Sequence, residues 1–120
     1  MAFRFEHLEI WKDSILFAKQ IYAVTKTFPR DELYALVDQL RRAASSIAAN
    51  IAEGAGSSSK KDFAHYLDIA IKSIYETVSH LYLAEQQGYI SSKKRLELYA
   101  KAEYLVKKIQ SFRKSISYKQ

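Results

Sequence analysis

The chain has 120 residues, enough for one domain that hides roughly two-thirds of its unfolded surface, so a single domain over residues 1–120 is expected. With 3 Gly and 1 Pro there is little room for turn-rich β architecture, and with no Cys there are no disulfides, thiolate metal sites or cysteine nucleophiles. The formal net charge of +6 is uneven: residues 1–90 carry 10 Lys/Arg against 11 Asp/Glu, whereas residues 91–120 carry 9 against 2.

That terminal excess points to a polyanionic partner, with RNA or another nucleic acid the leading candidate. No apolar run has transmembrane length, and MAFRFEHLEI lacks the apolar core of a signal peptide. A cytoplasmic protein with no membrane partner is expected.

In chain order, helix 1 is placed from about His7 to Thr27. Leu8, Trp11, Ile15, Ala18 and Tyr22 form one apolar line, and Ile10, Phe17, Ile21, Val24 and Phe28 form a second. Two lines make a face wider than one neighbouring helix needs. Pro29 ends the helix, and Asp31 is the expected N-cap of helix 2, which runs to about Glu53.

Helix 2 carries a core stripe of Leu36, Leu40, Ala43, Ile47 and Ile51, flanked by Leu33, Val37 and Ala44. Beside it, Gln39, Arg42, Ser46, Asn50 and Glu53 recur every three or four residues, within an arc of about 80°. An ordinary solvated face would carry more Lys and Glu pairs, so this strip reads as a partly buried hydrogen-bonding seam. The helix is expected to stop at the glycines of EGAG, through the left-handed conformation that glycine enters freely.

GAGSSS is not a phosphate loop, because a helix precedes it and its lysines follow three serines. It reads instead as a helix stop followed by a Ser59–Asp62 capping box. Helix 3 then runs from about Lys60 to Gln87, with Gly88 as its stop. Phe63, Leu67, Ala70, Ile74, Val78 and Leu81 form its core stripe. Ile69, Ser73, Glu76, His80 and Leu83 form a second line at heptad spacing.

Helix 4 starts near Ser92, its expected N-cap, and continues to about Ser115, with Ser117 to Gln120 expected to fray. Leu98, Ala102, Leu105, Ile109, Phe112 and Ile116 face the core. Lys93, Lys94, Lys101, Lys107, Lys108 and Lys114 are the candidate nucleic-acid contacts, spread around Tyr104 on the other side. The competing reading of these lysines is simple solvation.

The expected fold is therefore all-α, an antiparallel up-down-up-down four-helix bundle. A lone bundle needs one buried stripe per helix, so the extra strips on helices 2 and 3 argue for self-association. Within that seam an ion pair of Arg42 with Glu76 is expected, since both lie at a similar level from the intervening turn. Its loss should be severe, while Arg41, on the outer face, should be nearly silent.

QLRRAASSIAANIAEGAG, with Leu8-Glu9-Ile10-Trp11 and Thr27-Phe28-Pro29 upstream and IAIKSIYE downstream, resembles the four-helix-bundle proteins encoded in 23S rRNA intervening sequences. The resemblance covers Phe5 to Ile90 and departs from the family at Ala48, Ser57 and Lys72, where proline, arginine and glycine are common. The serine puts in doubt any basic contact made by that turn. The resemblance implies a helical protomer, a ring-shaped homo-oligomer (a pentamer) and no established activity. Accessory proteins of diversity-generating retroelements, which bind nucleic acid and a reverse transcriptase, are similar in architecture, though architecture alone does not transfer function.

Catalytic chemistry is not indicated. Asp62 with His65, and Glu76 with His80, are the nearest approaches to di-metal ligand pairs, but no second helix supplies a partner motif. His7 stands alone at a helix start and reads as a capping or surface residue. Ser46 and Ser73 have no positioned base, His80 being seven residues from Ser73. No metal, cofactor or small-molecule substrate is expected. Two readings remain: an oligomeric nucleic-acid-binding accessory protein that uses helix 4, and a protein-interaction scaffold with solubilising lysines. Salt separates them, because phosphate contacts weaken steeply as salt rises.

Overall fold

The computed structural model describes residues 2–117. Four helices account for most of the chain: α1 (Glu9–Thr25), α2 (Leu36–Ala55), α3 (Lys60–Gln86) and α4 (Ser92–Ser117). Short 3₁₀ turns at Arg4–His7 and Arg30–Glu32 precede the first two, and no strand occurs among the described residues. The fraying expected beyond Ser117 falls outside the described residues. The molecule measures 47 × 23 × 21 Å.

Packing is cyclic: α1 meets α2, α2 meets α3, α3 meets α4, and α4 returns to α1, with no backbone contact across either diagonal. The core lies between them. Ile21, Leu40, Ile47, Ile51, Leu67, Leu81 and Ile109 are fully buried. On α1 the second apolar line (Ile10, Phe17, Ile21, Val24, Phe28) is the buried one. Ile15 and Tyr22 of the first line remain exposed, while Leu8 and Trp11 are half-buried. The buried hydroxyls of Ser14, Thr25 and Thr77 each donate to a carbonyl one turn back, which removes the cost of leaving them unpaired.

Several helix ends differ from expectation. Asp31 is not a cap. After Pro29 the chain makes a 3₁₀ turn over Arg30–Glu32, and α2 begins only at Leu36, with Ala35 in the N-cap position. A side chain from that turn takes over: Glu32 Oε1 accepts from the Leu36 amide at 3.4 Å. Gly54 lies inside α2, and Gly56 closes it at φ −86°, so neither uses the left-handed conformation.

What Gly54 provides is proximity. A Cβ there would stand 2.8 Å from Phe63 Cδ1 and 2.8 Å from Tyr66 Cβ, so the missing side chain lets α3 cross close to α2. At the start of α3 the Ser59 hydroxyl accepts from the Asp62 amide at 3.0 Å. Gly88 (φ +78°) ends α3, with the Tyr89 amide reaching Ala84 O and the Gly88 amide reaching Glu85 O, the paired bonds of a Schellman stop. The cap of α4 is Ser91 rather than Ser92: its hydroxyl accepts from the Lys94 amide at 3.0 Å.

Candidate nucleic-acid interface

The two polar strips meet between α2 and α3, but not through the expected pair. Ser46 Oγ and Ser73 Oγ are 2.8 Å apart, and Asn50 Nδ2 donates to Ser46 Oγ at 3.0 Å and to Ser46 O at 2.8 Å. Arg42 turns away and pairs with Asp38 at 3.0 Å, its side chain 79% exposed. Glu76 lies 3.4 Å from His80 Nε2 on its own helix. That nitrogen is shielded from solvent and forms no hydrogen bond. Gln39, Glu53 and Leu83 are exposed, and Ile69 is half-buried.

The reason is angular. Arg42 and Glu76 do share a level, but at about 100° per residue Arg42 stands roughly 160° round α2 from the buried Leu40, at the strip's outer edge. Ser46 and Asn50 lie nearer the core. The expected Arg42–Glu76 pair is therefore absent within the protomer. Arg41 takes the structural role instead: its Nε donates to Thr25 Oγ1 at 2.9 Å, and its guanidinium lies 4.9 Å from the Tyr22 ring centroid.

The cations of the terminal segment divide into two sets. Arg95 Nε reaches Glu85 Oε1 at 2.6 Å, and Arg113 forks onto Asp68 at 2.7 and 3.0 Å, both tying α4 to α3. Lys108, expected on the basic face, turns inward to α1, with Asp13 at 2.7 Å and Glu9 at 3.3 Å. The Asp13 hydrogen bond holds its ammonium protonated well above the ordinary lysine range, against the opposing effect of desolvation. Glu85 likewise raises Arg95, chiefly through its hydrogen bond. Lys94 pairs with Glu97 at 3.5 Å.

Lys93, Lys101, Lys107 and Lys114 are exposed, and none makes an ion pair among the described residues. Around α4, Lys107 and Lys114 lie about 20° apart and Lys93 about 40° from Lys107. Lys101 sits roughly 120° away, beside Leu16 and Tyr104 in the groove between α1 and α4. The six lysines thus do not make one face.

Sequence reasoning also missed Glu32, whose Oε2 accepts from the Tyr89 hydroxyl at 2.5 Å and so ties the turn before α2 to the turn after α3. That bond, more than any other cause, raises the Tyr89 pKa. Among the described residues no group of three or more His, Asp or Glu side chains could hold a metal ion. No helix among them is long and apolar enough to cross a membrane.

No curated protein matches the chain. Among solved structures, a protein of unknown function from the S23 ribosomal protein family of Bacteroides thetaiotaomicron superposes with a TM-score of 0.77. It shares 27% identity, over 88% of this chain and 98% of its own. The family model for the 23S rRNA-intervening sequence protein matches residues 6–111. On that match the chain belongs to the 23S rRNA-intervening sequence protein family.

Proposed function

We propose that the protein is a non-enzymatic, cytoplasmic helical scaffold that self-associates and binds RNA through α4. The observation that carries this reading is the division of charge on α4. Arg95, Lys108 and Arg113 are engaged by carboxylates of α1 and α3, whereas Lys93, Lys107 and Lys114 share the outward side with no such partner among the described residues. Cations left unneutralised on one side of a helix suit a phosphate backbone, and repetition around a ring would multiply their effect.

The protomer is taken as an antiparallel up-down-up-down bundle. Supporting it, partners along α3 and α4 run in opposite directions: Asp68 with Arg113, then Glu85 with Arg95. Along α2 and α3, Gly54 abuts Phe63 and Ser46 meets Ser73. Self-association as a ring, a pentamer by family resemblance, is supported by the apolar surface that α1 leaves uncovered at Ile15, Leu16 and Tyr22.

That same surface favours a second reading, a scaffold for another protein. Recovery of the tagged protein from its native cells, in parallel with and without ribonuclease, separates the two. Co-purifying RNA, with associated proteins released by ribonuclease, supports the first reading. A protein partner that survives ribonuclease, with no RNA recovered, overturns it.

A further inference from the structure

Between α3 and α4 the surface has two adjoining hollows with Gln110 in common, together forming a groove. One part, about 330 Å³, has an apolar floor in which Val78 and Val106 are half-buried over the buried Ile74 and Ala102, with Tyr75 and Lys107 also lining it. The next part, about 760 Å³, is bordered by Lys72 and Lys114, and Gln110 lines both. Tyr75 is 66% exposed, and its hydroxyl has no hydrogen-bond partner among the described residues. Lys72, Lys107 and Lys114 make no ion pair there either. Two carboxylates approach the groove: Asp68 is occupied by Arg113, and Glu103 stands beside Lys107 at the apolar end.

We propose that this groove is a seat for single-stranded nucleic acid, a proposal that rests on the RNA-binding reading of α4 and adds α3 to it. A duplex keeps its bases stacked inside and offers mainly phosphates, which would leave the apolar floor uncovered. A single strand can turn its bases inward to cover that floor and stack one on Tyr75. Its phosphates then lie along Lys72 and Lys114, at the end away from Glu103, with Lys107 beside that carboxylate. The charge pattern selects a polyanion, and the uncovered ring with its apolar floor selects an unpaired one.

The test is fluorescence anisotropy at fixed salt, using a labelled oligouridylate of about 12 nucleotides and an RNA duplex of equal length. The parent should bind the single strand more tightly than the duplex. Tyr75→Ala should weaken single-strand binding roughly 5- to 150-fold while changing duplex binding little, and Tyr75→Phe should retain it. Lys72→Gln, on α3, should weaken it as well. Circular dichroism checks that the fold survives. Equal affinity for both probes, or a silent Tyr75→Ala, overturns the groove. If affinity then follows Lys93→Gln and Lys101→Gln alone, the α4 reading stands without the groove. If the parent binds neither probe, both readings fall. If Tyr75→Ala changes only the sedimenting mass, the groove is a seat for a second copy and the proposal is wrong.

Discussion

The hydroxyls of Ser46 and Ser73 lie 2.8 Å apart across the α2–α3 contact, with the Asn50 amide 3.0 Å from Ser46 Oγ on the other side. Ser46 accepts from Asn50 and shares one hydrogen bond with Ser73 in which either hydroxyl can donate, so it is the centre of the cluster. Ser46→Ala leaves the Ser73 hydroxyl without this partner, while the Asn50 amide keeps the Ser46 carbonyl, and should cost about 1–3 kcal/mol. Ser73→Ala should cost less, about 1 kcal/mol. A double-mutant cycle in urea should give a coupling of about 0.5–1.5 kcal/mol; a coupling near zero would mean that the two hydroxyls are independently solvated.

Arg41 and Arg42 should behave in the opposite order to their reading from sequence. Arg41→Ala removes a hydrogen bond to a buried hydroxyl and a contact over Tyr22, for a loss of about 1–2 kcal/mol. Arg42→Ala removes an exposed pair within one helix, typically worth under about 0.5 kcal/mol. Thermal unfolding of the two variants checks the order. A larger loss for Arg42 would point to a partner on another chain.

The glycines around the α2–α3 turn separate by cause. Gly54→Ala gains about 1 kcal/mol of helix propensity but drives a methyl group against Phe63 and Tyr66 at a cost of about 1–3 kcal/mol, so a net loss of up to about 2 kcal/mol is expected. Gly56→Ala meets only carbonyls, at 3.6 Å and an ordinary φ, and should be neutral or slightly stabilising. Chemical denaturation that finds both equally harmful would contradict the close approach at Gly54.

Apart from that of Arg95, two protons are held more tightly by the folded chain than by the unfolded one: that of Lys108, through Asp13, and that of Tyr89, through Glu32. For raised folded values the stabilisation is complete below the unfolded pKa values, 10.5 and 10.0, and disappears as pH rises through the folded ones. Stability should therefore fall above about pH 10. The urea midpoint should fall less steeply between about pH 9.5 and 11.5 in Lys108→Met combined with Tyr89→Phe. Parallel profiles for parent and variant would contradict these assignments.

Much of the fold is legible in the sequence, because period and punctuation are local signals. The core stripes of α2, α3 and α4, the Ser59 cap and the Gly88 stop all rest on neighbours within two turns. The start of α2 is not legible, since a 3₁₀ turn and Glu32 take over where Asp31 looks like a sufficient cap. The strips on α2 and α3 show which residues share an arc but not which edge of it faces the neighbour. Ser46–Ser73 therefore replaces Arg42–Glu76, about one helical turn closer to the α2–α3 turn. Lys108 is misjudged for a related reason. Its partner is 95 residues away on α1, and nothing within α4 distinguishes it from Lys107.

Whether α4 binds nucleic acid is tested most directly by titrating a single-stranded RNA at several salt concentrations with two proteins. One is the parent; in the other, Lys93, Lys101, Lys107 and Lys114 become Gln, while Lys108 is kept because it holds α4 to α1. The parent's log affinity should fall linearly with log salt. The variant should stay folded, bind far more weakly, and show a salt slope smaller by about 2, at roughly 0.7 for each phosphate no longer neutralised by Lys93, Lys107 or Lys114, with Lys101, on another side of α4, adding little. Equal affinity and equal slope in the two proteins would contradict the assignment of RNA binding to α4.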